Sequence, residues 1–128
     1  MATSKDIGRE GLPLTPAHFH ILLALADGEK HGYAIMRETD EISKGQVRLG
    51  PGTLYGAIGR LLEAGHIEES DERPDPTLDD QRRRYYRLTK SGERVASAEA
   101  ERLANLADVA ERRNLIRWRP ARPAGTVQ

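Results

Sequence analysis

Apolar residues recur along this chain at two different spacings, and the spacings divide it into elements. Between Gly52 and Ala64, the residues Leu54, Ile58, Leu61 and Leu62 fall at i, i+4, i+7 and i+8, one stripe of an α-helix. The other side of that helix carries Thr53, Tyr55, Gly56, Gly59 and Arg60. Such a helix fastens to a domain by its apolar back. Its front of hydroxyls, glycines and a cation suits close approach to a DNA groove.

Two helices are expected before it. The first starts after Thr15, a good N-cap, with Pro16 at the first helical position. Phe19, Leu22, Leu23 and Ala26 form its expected buried stripe, Ile21 and Leu25 widen it, and Asp27-Gly28 ends it. The second begins near His31 and aligns Ile35, Thr39 and Ile42, with Tyr33 and Met36 beside them, until Lys44-Gly45 closes it. His31 and Tyr33 are expected to pack structurally at its start. Pro51 drives Gly50 out of the helical region, and Gly65 stops the third helix.

The spacing then shifts to two. Residues 66–70 and 84–88 read as the strands of a hairpin, separated by a polar loop that contains Pro74 and Pro76. Tyr85 and Tyr86 point to opposite faces, one of them to the core. Thr89 caps a last helix rich in Ala, Glu, Arg and Leu, all strong helix formers. Its apolar positions are Val95, Leu103, Leu106, Ala107 and Ala110. A long helix that trails a small domain has no core of its own to face. Pairing with a second copy through those five residues is the economical solution, which predicts a homodimer. The expected organisation is a flexible arm over 1–13, a winged helix-turn-helix over 14–88, a dimerisation helix over 89–116 and a flexible tail over 117–128. The fold class is mainly α with a small β-hairpin.

Composition narrows the function classes. At 128 residues the chain holds one domain and an appendage. The absence of cysteine excludes disulfides and thiolate metal sites and fits a reducing compartment. With no secretory pattern or long apolar run in view, the expectation is a cytoplasmic protein without a membrane partner. Net charge is zero, but its distribution is uneven. Glu68, Glu69, Asp71, Glu72, Asp75, Asp79 and Asp80 face Arg73 alone; Arg82, Arg83, Arg84, Arg87 and Lys90 follow, and basic residues recur in the tail. A neutral protein can still grip DNA, because counterion release depends on the phosphates contacted, not on the total.

The candidate DNA contacts are therefore Thr53, Tyr55, Gly56 and Arg60 on the third helix, Lys44 and Arg48 just before it, and Arg82, Arg83 and Arg84 at the wing. Each has an ordinary alternative. Tyr55 could pack on the hairpin and Thr53 could cap its helix. Gly56 and Gly59 could serve helix packing, and Arg60 could pair with Glu63 or Glu38. The wing arginines could neutralise Asp79 and Asp80. His18 and His20, at i and i+2 on a helix, do not face each other, so no metal is expected. Gly50-Pro51-Gly52 lacks the Gly-Lys-Ser/Thr ending of a phosphate loop. No nucleophile–base or paired-carboxylate spacing suggests an enzyme or a cofactor.

Four segments together carry a resemblance. His31-Gly32-Tyr33-Ala34-Ile35 opens the second helix and Gly52-Thr53-Leu54-Tyr55 the third. Arg60-Leu61-Leu62-Glu63-Ala64-Gly65-His66-Ile67 follows, and Arg83-Arg84-Tyr85-Tyr86-Arg87-Leu88-Thr89-Lys90-Ser91-Gly92 closes the wing. In this order and spacing, across roughly residues 14–110, the chain resembles the PadR family of bacterial transcriptional regulators, in its compact form with a single C-terminal helix. The resemblance implies a dimeric repressor that binds double-stranded DNA at a palindromic operator. It also implies a small-molecule effector that binds near the dimer interface in some members. The rival expectation is a winged-helix protein-interaction module that does not bind DNA.

Overall fold

A computed structural model describes residues 11–70 and 84–117. Helix α1 spans Pro16–Leu25, and α2 spans Gly32–Ile42. Helix α3 runs over Pro51–Glu63 and the long α4 over Lys90–Arg112. Three short strands, β1 (Lys30–His31), β2 (Ile67–Ser70) and β3 (Tyr85–Leu88), form one antiparallel sheet in the order β1-β3-β2. The architecture is a winged helix: mostly helical, with a small sheet at one side.

The caps fall where the chemistry asks for them. The Thr15 side chain accepts a hydrogen bond from the His18 N–H at 3.1 Å, and Thr89 accepts one from the Gly92 N–H at 3.0 Å. Gly50 is extended ahead of Pro51 and serves as the N-cap of α3 without a side-chain bond. At the other end of α3, Gly65 has φ +80°, the His66 N–H reaches the Leu61 carbonyl and the Gly65 N–H the Leu62 carbonyl. That is the paired closure of a left-handed glycine stop. Helix α2 closes similarly, with Lys44 and Gly45 both at positive φ.

The core lies between α1, α2, α3, the sheet and the first turns of α4. Ile21, Leu22, Ala24 and Leu25 enter it from α1, Ile35 from α2, and Leu54, Ala57, Ile58 and Leu61 from α3. Leu49, Ile67, Tyr86 and Val95 complete it. Of the two tyrosines, Tyr86 is the core member. The stripe expected on α1 is corrected: Leu23 and Ala26 are exposed, and Phe19 is only half-buried. Ile21 and Leu25, expected to widen the stripe, are its core with Leu22, and Ala24 joins them, because α1 packs against α2, α3 and α4. Ile42 is likewise exposed at the end of α2.

Two polar features tie elements together around this core. Lys30 donates to the Ala24 carbonyl at 2.6 Å and lies 2.5 Å from Asp27 and 3.4 Å from Glu38, so it staples α1 to α2. Glu99 on α4 is buried, 2% exposed, and accepts two hydrogen bonds from Arg102, at 2.8 and 2.7 Å. It also accepts the Leu14 backbone N–H. Leu12 packs on the core as well, so the part of the expected flexible arm around Leu12 is held in place.

Candidate nucleic-acid interface

Helix α3 has one buried side and one open side, and the open side repeats at helical spacing. Gly52, Thr53, Gly56, Gly59, Arg60 and Glu63 are exposed, while Leu54, Ala57, Ile58 and Leu61 point inward. The two interior glycines decide how that face is read. A Cβ built at Gly59 would meet nothing within 4 Å, and one at Gly56 would meet only the Arg60 guanidinium at 3.9 Å. Helix packing within the domain therefore does not explain them. Each costs roughly 1 kcal/mol of helix stability relative to alanine. What they leave is bare backbone, open to an external surface.

Thr53 does not cap α3, since Gly50 holds that position. It lies exposed in the first turn. Tyr55 is placed differently from the rest of the candidate set. Its ring is half-buried against the core, and its hydroxyl covers Gly32, where an added Cβ would sit 2.5 Å from the phenol oxygen. The ring lies over the start of α2 rather than facing straight out. Helical spacing alone missed this, because it places Tyr55 off the apolar stripe without showing that α2 lies on that flank.

The cations divide into paired and unpaired. Arg48 lies 3.5 Å from Asp40, and Arg84 lies 3.0 Å from Glu69. Arg87 pairs with Glu68 at 2.8 Å, directly across the β2–β3 ladder. These pairs are solvent-exposed, so they hold their partners weakly and can exchange them for phosphate. Lys44, Arg60 and Arg37 have no carboxylate partner among the described residues. Arg60 pairs with neither Glu63 nor Glu38; its guanidinium lies back over Gly56. Burial, then Arg60 and His66, hold the His18 imidazole below 6.5, and burial does the same to His66. Both rings are therefore neutral at about pH 7, and Arg60 is the standing positive charge beside them. Arg82, Arg83 and the acidic run 71–80 lie outside the described residues.

The sheet gives the wing a root that the hairpin pattern did not reveal. Strand β1 pairs with β3 in the register Lys30↔Tyr86 and His31↔Tyr85. The same His31 caps α2, its Nδ1 accepting the Ala34 N–H at 3.2 Å. Tyr33, expected to pack structurally at the start of α2, is 57% exposed. Its ring stacks on His31 at 6.5 Å, and the Arg37 guanidinium sits 5.9 Å from its centre.

The long helix contributes a second surface. Val95 does not belong to it. Val95 is 1% exposed within a single chain and fills the head core, because Thr89 binds the Gly65–His66 turn and draws the first turns of α4 onto the head. Beyond Arg102 the helix leaves the head. Leu103, Leu106 and Val109 are then 39%, 54% and 39% exposed, with Ala107 and Ala110 half-buried beside them. Val109 was absent from the expected set. No helix among the described residues is long and apolar enough to cross a membrane.

Comparisons with known proteins agree with this geometry. Residues 21–98 match the model of the transcriptional regulator PadR-like family. The chain is 39% identical over 90 residues to a 37.1 kDa protein in transposon TN4556 of Streptomyces fradiae. That match covers 70% of this chain but only 24% of that protein, about a quarter of its length. It is 38% identical over 88 residues to the transcriptional regulator Rv3488 of Mycobacterium tuberculosis, covering 69% of this chain and 76% of that one. Among solved structures, a transcriptional regulator from Clostridium thermocellum superposes with a TM-score of 0.61 at 25% identity, covering 87% of this chain and 97% of the other.

Proposed function

This chain belongs to the PadR-like family of transcriptional regulators, and from that premise we propose that it acts as a homodimeric, sequence-specific DNA-binding repressor. Helix α3 of each subunit enters one of two successive major grooves of a palindromic operator, with half-site centres about 10 base pairs apart. One observation carries the reading: α3 turns Gly56 and Gly59 outward with nothing inside the domain to explain them. Backbone exposed by glycine, beside Thr53 and Arg60, lets a groove wall come within contact distance.

The grip on phosphate falls to Lys44, Arg48 and Arg60 around the helix and to Arg82, Arg83 and Arg84 at the wing. With about four phosphates contacted per subunit, log K falls against log salt with a slope of about −7 for the dimer. The proposal includes control by a small-molecule effector. A shallow cavity of about 320 Å³ lies where Leu12 meets Ala98, Glu101, Arg102 and Asn105 of α4. A small molecule bound along α4 changes the angle between the heads, and with it the spacing of the two α3 helices.

The deciding experiment is selection of random DNA fragments by the purified protein, followed by sequencing. The expected result is an enriched two-fold-symmetric sequence with half-sites one turn apart. If no fragment is enriched even at low salt, the reading fails in favour of a protein-interaction role.

A further inference from the structure

The sheet, α2 and α3 meet at one small group of side chains whose outer members, Tyr33 and Arg37, were not among the expected DNA contacts. Tyr85 of β3 meets the His31 ring edge-to-face, with centroids 5.3 Å apart. His31 stacks on Tyr33 with 21° between the ring planes, and Arg37 lies beyond, on the next turn of α2. Beneath them, Tyr55 of α3 covers Gly32. A file of rings therefore runs outward from the wing strand to α2, rooted on the recognition helix. At its end stand an exposed phenol and a guanidinium.

Two features of this group need a reason. A tyrosine this exposed gains little from burial, yet it is held by a ring on one side and a cation on the other. Arg37 has no carboxylate partner among the described residues, although Glu41 stands one turn further along α2, at the spacing where helix pairs form. Lys30, Arg48 and Arg84, by contrast, each hold a carboxylate. A preorganised hydroxyl donor beside an unneutralised guanidinium matches a phosphate diester, which offers acceptors and a single negative charge.

We propose that Tyr33 and Arg37 form a clamp on the DNA phosphate backbone between the groove occupied by α3 and the contacts of the wing. The clamp rests on the DNA-binding reading above. Its place is the one a first helix of a helix-turn-helix takes where it crosses the backbone. Because the group is stacked before DNA arrives, little side-chain freedom is lost on binding. The clamp carries no sequence information; it fixes how deeply α3 seats.

The test measures binding of wild type, Arg37→Gln and Tyr33→Phe to a selected site and to an unrelated fragment, across a salt series. Arg37→Gln should weaken both by the same factor, about tenfold, and reduce the salt slope by about 0.9 per subunit. Tyr33→Phe keeps the stack but loses the donor. It should weaken both fragments severalfold and leave the slope unchanged. Neither variant should alter thermal unfolding, since both side chains stand outside the core. If wild type binds and both variants keep its affinity and slope, the clamp is refuted and the DNA-binding reading stands. If wild type binds neither fragment, the reading itself fails and the clamp with it.

Discussion

Glycines inside helices of this protein do opposite jobs, and alanine separates them. Gly56 and Gly59 face open space, so Gly56→Ala and Gly59→Ala add no clash and remove backbone freedom from the unfolded chain. Each should raise stability in urea unfolding by about 0.5–1 kcal/mol, while operator affinity falls because the new methyl groups stand between backbone and groove. A variant that gains stability and keeps its affinity would mean that these glycines face no ligand. Gly92 in the first turn of α4 is the reverse case. A Cβ there would overlap the His66 carbonyl oxygen, part of the backbone at the turn after α3. Gly92→Ala should therefore lose about 1–3 kcal/mol, as α4 is pushed off the turn that Thr89 binds. Unfolding midpoints of the three variants should move in opposite directions for what is nominally the same substitution. The sequence shows all three as isolated helical glycines, and only the neighbours of each decide its sign.

At the scale of elements, α4 is joined to the chain's beginning through Glu99. Arg102's hydrogen bonds, opposed by burial and supported by the Leu14 N–H, hold the Glu99 carboxyl below its ordinary 4.5. A depressed carboxyl contributes stability that is complete above the unfolded value and fades as pH falls through the folded one. Glu99→Gln should thus cost about 2 kcal/mol at about pH 7. Its deficit relative to wild type should narrow once pH drops below about 4.5, a trend visible in chemical unfolding at a series of pH values. A constant deficit across that range would show that the carboxylate charge is not what holds Leu14. Nothing in the pattern of residues announced this link, because a lone Glu on a charged helix reads as solvated. The boundaries of α1 and α3 and the start of α4, by contrast, were legible within a residue or two from Thr15-Pro16, Pro51 with Gly65, and Thr89, since caps act locally; the end of α4 falls at Arg112, four residues short of the expected 116. Strand β1 was not legible, being two residues long and paired with β3, far away in sequence. The outward face of α3 was legible in outline, from period alone. That Tyr55 turns onto Gly32 and Tyr33 turns away from the core was not, because both depend on how α2 and α3 pack.

For the whole molecule, the decisive quantity is whether two heads act as one. The apolar stripe of α4 is buried by the head as far as Val95 and then continues uncovered through Leu103, Leu106 and Val109. A stripe that outlasts the domain it serves leaves apolar area in water that a second α4 would cover. Leu103→Glu with Leu106→Glu places two charges in that seam, where burial without partners is strongly opposed. On the dimeric reading proposed above, wild type should sediment as a dimer and the double variant, at the same concentration, as a monomer. Its heads should keep their helical content and unfolding midpoint, because Gly92, Val95 and Glu99 are untouched. Val95→Ala should do the converse, weakening each head through a core cavity while leaving the dimer constant unchanged. DNA binding then reports the coupling. In a dimer, seating one α3 helix presents the other at high local concentration, so separating the heads should reduce operator affinity by about 10²–10⁴. The contacts of each head are unaltered, so weak binding to a single half-site should survive. A double variant that stays dimeric, or a monomer that holds the full operator as tightly as wild type, would show that α4 does not set the spacing of the two recognition helices.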